Sequence, residues 1–84
     1  MKRMADKVAV IVGGASGFGL ACAELFASEG AKVVIAGRRG DLANDTAETL
    51  GGLGVAWDVT NFEQGKEVKD QIMNHYGRID AAIN

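Results

Sequence analysis

The chain has 84 residues, 48% of them hydrophobic and 24% charged, with a formal net charge of -2. That length suits one domain or part of one, and the charge lacks the basic excess of a nucleic-acid or anionic-membrane binder. No apolar run nears the roughly 20 residues of a membrane span, the opening "MKRMADK" leads into no signal-like segment, and the lone Cys22 excludes an internal disulfide or a cysteine-rich zinc site; the expectation is a cytoplasmic chain with no nucleic-acid and no membrane partner.

Taken in chain order, the pattern alternates. Residues 7–13 form a continuous apolar run, as expected of a strand buried on both faces. Residues 17–29 read as a helix on which Phe18, Cys22, Leu25 and Phe26 can share a face, with Gly30 placed to end it. A second strand, "KVVIAG", covers residues 32–37, and a more polar helix lies within residues 41–50 before Gly51 and Gly52. A third strand is expected at about residues 54–59. The helix after it, residues 61–75, can be capped by Thr60 or Asn61, with Glu63 or Gln64 three residues on. Val68, Ile72 and Tyr76 follow at helical spacing, Gly77 stops the helix, and a fourth strand begins at Arg78 or Ile79.

Strands and helices alternating through short loops imply βαβ units, a parallel sheet and right-handed crossovers that place helices on both faces. The fourth strand runs to Asn84 with no helix after it. An edge of that kind is unprotected. The chain is therefore expected to be the N-terminal part of a single domain that continues further.

The stretch "VGGASGFG", residues 12–19, crowds glycines between the first strand and the first helix. Glycines there let backbone N–H groups approach an anion at a helix N-terminus, where unpaired donors and the dipole favour negative charge. Spacing separates the kinds of phosphate loop. A P-loop would need Lys where Leu20 stands, and a nucleophile elbow around Ser16 fails at Phe18. The common G-x-G-x-x-G form fails at Cys22, whereas Gly13, Gly17 and Gly19 satisfy G-x-x-x-G-x-G. A tight turn without a ligand is the competing reading.

With these residues in place, the sequence resembles the short-chain dehydrogenases/reductases. Their N-terminal motif reads T-G-x-x-x-G-x-G. Three further stretches match in order: "GRR" at the end of strand two, "DVT" at Asp58, Val59 and Thr60, and "GRIDAAIN", which resembles the approach to the family's N-N-A-G motif with Asn84 at its first Asn. Val12 stands for the usual Thr, losing a hydroxyl contact, and Phe18 for the usual Ile, a bulkier group beside the pyrophosphate. The resemblance implies a Rossmann-type doubly wound α/β fold, of which this is the part with about four strands and three helices. It also implies an oxidoreductase that passes hydride between a nicotinamide and a carbonyl or secondary alcohol, and a homo-oligomer. Gly13, Ser16, Gly17, Phe18 and Gly19 would face the pyrophosphate end of the cofactor, and Asp58 and Val59 the adenine, with Asn84 in the same row. The family's Tyr-x-x-x-Lys acid/base is not within these residues, since Asp80 lies four residues after Tyr76. No catalytic residue is therefore expected here.

The residue ending strand two faces the adenosine ribose in dinucleotide folds, where an acid binds the NAD hydroxyls and an Arg accommodates the NADP phosphate. Here Gly37 leaves room and Arg38 follows, with Arg39 next to it. A guanidinium can grip a phosphate through two hydrogen bonds. NADP(H) is favoured, with NAD(H) the alternative, because Asp41 weakens the positive field and Ser16 stands where many NADP-using members are basic. A dinucleotide-binding sensor without chemistry is the reading from another class. His75 is the sole histidine and lies late in its helix, where a cation complements the dipole. Tyr76, Trp57 and Cys22 are expected to pack, and no metal site is expected.

Overall fold

Period-two alternation along the first strands decides which side chains reach which face of the sheet. In the computed structural model, which describes residues 5–13 and 17–83, β1 (Val8–Val12) and β2 (Lys32–Gly37) run parallel, Ala9 beside Val33 and Ile11 beside Ile35. These four residues are buried on one face with Ala23, Ala31, Ala43 and Ala47. Val8, Val10, Val34 and Ala36 are buried on the other face with Val55, Val68 and Ile72. Apolar residues on both faces are what a strand covered by helices on both sides requires.

The helices divide accordingly. α1 (Gly17–Ser28) and α2 (Gly40–Thr49) cover the first face, and α3 (Phe62–Tyr76) covers the second. β3 (Leu53–Ala56) lies outside β2, and β4 (Ala81–Ile83) pairs with the other side of β1, giving the parallel order β3-β2-β1-β4. The order reverses between β1 and β4, and this is where open α/β sheets place ligands, outside the carboxyl ends of the strands. The Rossmann-type arrangement expected from the sequence is the one found.

Alanines and glycines set how closely the first layer packs. Ala43 and Ala47 bring α2 onto the sheet. A Cβ on Gly54 would collide with the backbone of Ala43 and Asn44, lying 2.6 Å from the Asn44 nitrogen.

Three expectations need correction. Phe18 and Leu25 do not share a buried face with Phe26; both are exposed, and Ala23 is the fully buried residue of α1. β3 stops at Ala56 rather than near Val59: Trp57 still donates to the Gly37 carbonyl (2.8 Å), but Asp58 then turns away, its N–H donating to the Gln64 side chain (2.7 Å) and its carbonyl accepting from the Asn61 N–H (2.8 Å). β4 begins at Ala81 rather than at Arg78 or Ile79. The Val8 N–H that a longer strand would pair donates instead to Asp80 Oδ2 (2.8 Å), while the Asp80 N–H donates to the Val8 carbonyl (2.8 Å). Arg78 grips the same carboxylate through Nε (2.8 Å) and Nη2 (2.7 Å).

α3 follows its sequence signals closely. Asn61 caps it, accepting from the Gln64 N–H (3.0 Å), and Gly77 ends it at φ 81° with its N–H on the Met73 carbonyl (2.8 Å). Val68 and Ile72 are buried, Tyr76 packs beside them, and Gly65 lies under the Trp57 indole.

Candidate dinucleotide site at the carboxyl edge of the sheet

All four strands point the same way, so the segments that follow β1, β2 and β3 emerge at one edge. Gly13 leaves β1 with φ 75°, and its N–H donates to the Ala36 carbonyl of β2 (2.7 Å). Gly17 begins α1 with φ 60°. Both φ values lie in the left-handed region that side chains other than glycine's adopt at a cost. A Cβ built on either would have no atom of the described residues within 4 Å. The conformation therefore favours glycine at these turns, and no described residue fills the space in front of them. That open cradle fits the approach of a pyrophosphate.

Gly19 is half-buried in the first turn of α1, and Phe18 is exposed there at 80%. Ser16 and Asn84, the two remaining predicted contacts in this row, lie outside the described residues.

The ends of β2 and β3 are tied by the Trp57 N–H, which donates to the Gly37 carbonyl (2.8 Å). One residue beyond this bond on each chain stand Arg38 and Asp58. Arg38 Nη2 lies 3.6 Å from Asp58 Oδ1. Two residues singled out for different reasons, one for a ribose phosphate and one for adenine, are thus neighbours. The same Asp58 oxygen accepts from the Thr60 N–H (3.0 Å) and the Thr60 hydroxyl (2.7 Å). Those bonds, the hydroxyl's first, hold the Asp58 carboxyl below the usual carboxylate range, with Arg38 adding a smaller pull. Arg39, the residue before α2, is turned to Asp41 (3.2 Å) and is exposed. Val59 is about half exposed beside a hollow of about 280 Å³ walled by Trp57, Phe62 and Gly65.

Thr60 and Gln64 are the contributors that sequence reading left out of the site. Their signals were present: Asp-x-Thr is an aspartate turn in waiting, and the Gln three residues after Asn61 was noted only as a capping partner.

The remaining candidates pack or lie exposed. Tyr76 is partly buried, with its ring edge-on to His75 at 4.5 Å, and burial pushes its phenol above the ordinary value, opposite to what a general base needs. Trp57 packs as expected, yet its indole N–H is buried without a partner among the described residues. Among the described residues no group of His, Cys, Asp and Glu could hold a metal, and no helix is long and apolar enough to cross a membrane.

The short chain dehydrogenase family model matches residues 7–84. The chain belongs to this family. The short-chain dehydrogenases it resembles include tropinone reductase-like 2 of Erythroxylum coca, 44% identical over 99% of this chain and 31% of that protein. Secoisolariciresinol dehydrogenase of Forsythia intermedia is 39% identical over 94% of this chain and 30% of its own length. The NADP-dependent (R)-specific alcohol dehydrogenase of Lentilactobacillus kefiri is 49% identical over 74% of this chain and 23% of its own. The chain thus spans about a third or less of the short-chain dehydrogenases it matches. These relatives are named as dehydrogenases and reductases, an oxidoreductase class that uses nicotinamide dinucleotides.

Proposed function

We propose that this chain is the N-terminal, cofactor-holding part of an NADP(H)-dependent oxidoreductase acting on a small carbonyl compound or secondary alcohol. The observation that carries the cofactor choice is the end of β2. Gly37 takes the ribose-facing position with no carboxylate, and Arg38 follows it with its side chain 73% exposed. The match to an NADP-dependent alcohol dehydrogenase supports the same reading.

Gly13 and Gly17 would admit the backbone to the pyrophosphate, with Ser16, Phe18 and Gly19 around it. Arg38 would pair with the 2′-phosphate, with Arg39 beside it. Asp58 and Val59 would meet the adenine, and Asn84 would stand in the same row. The dinucleotide, when bound, supplies the hydride chemistry. None of the described side chains has the setting of an acid/base for it, so this segment's part is binding and orientation. NAD(H) is the second reading. It is favoured by one observation, the engagement of Arg38 with Asp58, which draws positive charge away from a phosphate.

The test is cofactor selectivity in the whole protein. A charge-assisted contact to phosphate, reduced by exposure and salt, is worth about 2 kcal/mol, or roughly thirtyfold in favour of NADP at moderate ionic strength. Gly37→Asp with Arg38→Leu is expected to invert the preference. Among the described residues a Cβ at Gly37 would meet only the Ala43 Cβ, at an ordinary 4.0 Å, so the backbone there has room for a side chain. Dissociation constants for both cofactors at two salt concentrations decide the matter. A wild-type protein that already prefers NAD, or a variant with an unmoved ratio, would refute the NADP reading.

A further inference from the structure

We propose that Asp58 is a specificity-determining residue that works against the 2′-phosphate: its clamped carboxylate holds Arg38 in an ion pair that the phosphate must displace. This rests on the assignment of Arg38 to the phosphate.

The two partners differ in freedom. The Asp58 carboxylate is fixed by the Thr60 N–H and hydroxyl on Oδ1, and its backbone by the Gln64 side chain. Gln64 is itself fixed, since its N–H donates to the Asn61 cap. The Trp57–Gly37 bond fixes the strand end on which Asp58 sits. Arg38 has one charged partner among the described residues, Asp58, and is the more exposed of the two (73% against 44%). A guanidinium on a long stem can leave; a carboxylate held by two hydrogen bonds, on a backbone held by a third, cannot follow. The site thus presents a fixed negative charge within reach of the group that would receive a dianion. A ligand carrying the 2′-phosphate has to take Arg38 from Asp58 and then lie near the carboxylate left behind. A ligand with a free 2′-hydroxyl meets neither cost.

Exposed ion pairs have small energies that salt reduces further. Relief of the pair and of the repulsion together is expected to change selectivity by roughly three- to tenfold. In the whole protein, Asp58→Asn keeps an oxygen for Thr60 and removes the charge. It is expected to raise the NADP-over-NAD binding ratio by that factor at low salt, and by less at high salt. Any loss of an adenine contact falls on both cofactors alike and cancels in the ratio. In an Arg38→Leu background the gain should shrink, because no guanidinium remains to release and only the repulsion between carboxylate and phosphate is relieved. Should Asp58→Asn not fold, Asp58→Ser retains an acceptor for Thr60 and carries the same expectation.

Calorimetric dissociation constants for NADP and NAD, measured on wild type, both single variants and the double variant, decide between the outcomes. An unchanged or lowered ratio in Asp58→Asn overturns the proposal, as does a gain that is undiminished without Arg38. If Arg38→Leu abolishes the NADP preference while Asp58→Asn leaves it unmoved, only this proposal falls. If wild type shows no NADP preference and Arg38→Leu changes nothing, the cofactor assignment falls and this proposal falls with it.

Discussion

Gly17 combines a left-handed backbone with empty space, and the two make separable demands. At φ 60° any side chain brings strain, for which about 1–2 kcal/mol is the usual cost. No atom of the described residues stands near enough to be struck by the new Cβ, so a further loss is expected from a ligand. Gly17→Ala in the whole protein is expected to lower stability by about 1–2 kcal/mol and to weaken dinucleotide binding more than tenfold. Thermal melts beside calorimetric titrations would separate the two. Unchanged affinity in a folded variant would show that the turn meets no cofactor. At this scale the sequence was informative where geometry is local. The spacing of Gly13 and Gly17 marked the turn between β1 and α1, and the structure adds that both take positive φ there. The meeting of Arg38 with Asp58 was not legible, because it arises from the pairing of β2 with β3, in which Gly37 stands beside Ala56. Nothing in either motif alone indicates that pairing.

Between α2 and β3 the limiting distance is set by a missing methyl group. Gly→Ala in a strand usually stabilises by restricting the unfolded chain. At Gly54 the added Cβ would overlap the Ala43 and Asn44 backbone, which a helix cannot yield without moving as a whole. Gly54→Ala is therefore expected to cost about 1–3 kcal/mol, read as a lower denaturant midpoint. A midpoint that rises would show that α2 rides freely on the sheet. The elements themselves were legible, since buried strands, a capped α3 and the glycine stops all leave strong local patterns. Two kinds of detail were not. α1 is apolar or small around most of its circumference, so periodicity did not reveal that Ala23, rather than Phe18 or Leu25, faces the sheet. The ends of β3 and β4 depend on Gln64, which holds the chain in the turn after Trp57, and on Asp80, whose side chain captures the Val8 N–H that a longer β4 would use.

Across the whole molecule, two aspartates join segments distant in sequence, and both respond to acid. The Arg78 guanidinium, followed by the Val8 N–H, holds the Asp80 carboxyl below its ordinary value of 3.8. Asp58 is lowered in the same direction by Thr60. A folded-state value below the unfolded one means the folded chain favours the ionised form. The resulting stability is complete above the unfolded value and is lost as pH falls through the lower folded one. Melting temperature is expected to hold steady from neutrality to about pH 5 and to fall below about pH 4. Asp80→Asn, which removes the ionisable group but keeps the shape, should flatten that fall. An equally steep acid limb in the variant would place the titration elsewhere. The layered arrangement itself was readable, since alternating elements with right-handed crossovers place helices on both faces; the strand order was not, because no local signal assigns α3 to the second face.

That arrangement also fixes an order in time. The Val8 N–H is satisfied by Asp80, 72 residues later, and the rest of that flank of β1 by β4. On a ribosome adding about 5–20 residues per second, β1 waits roughly 4–14 s for this neighbour to be made. During the interval β2 can zip onto one side while the other side remains bare. β1, an inner strand, is thus made before the other three described strands yet enclosed only when the last of them arrives, and a nascent chain is exposed to mispairing along its open flank.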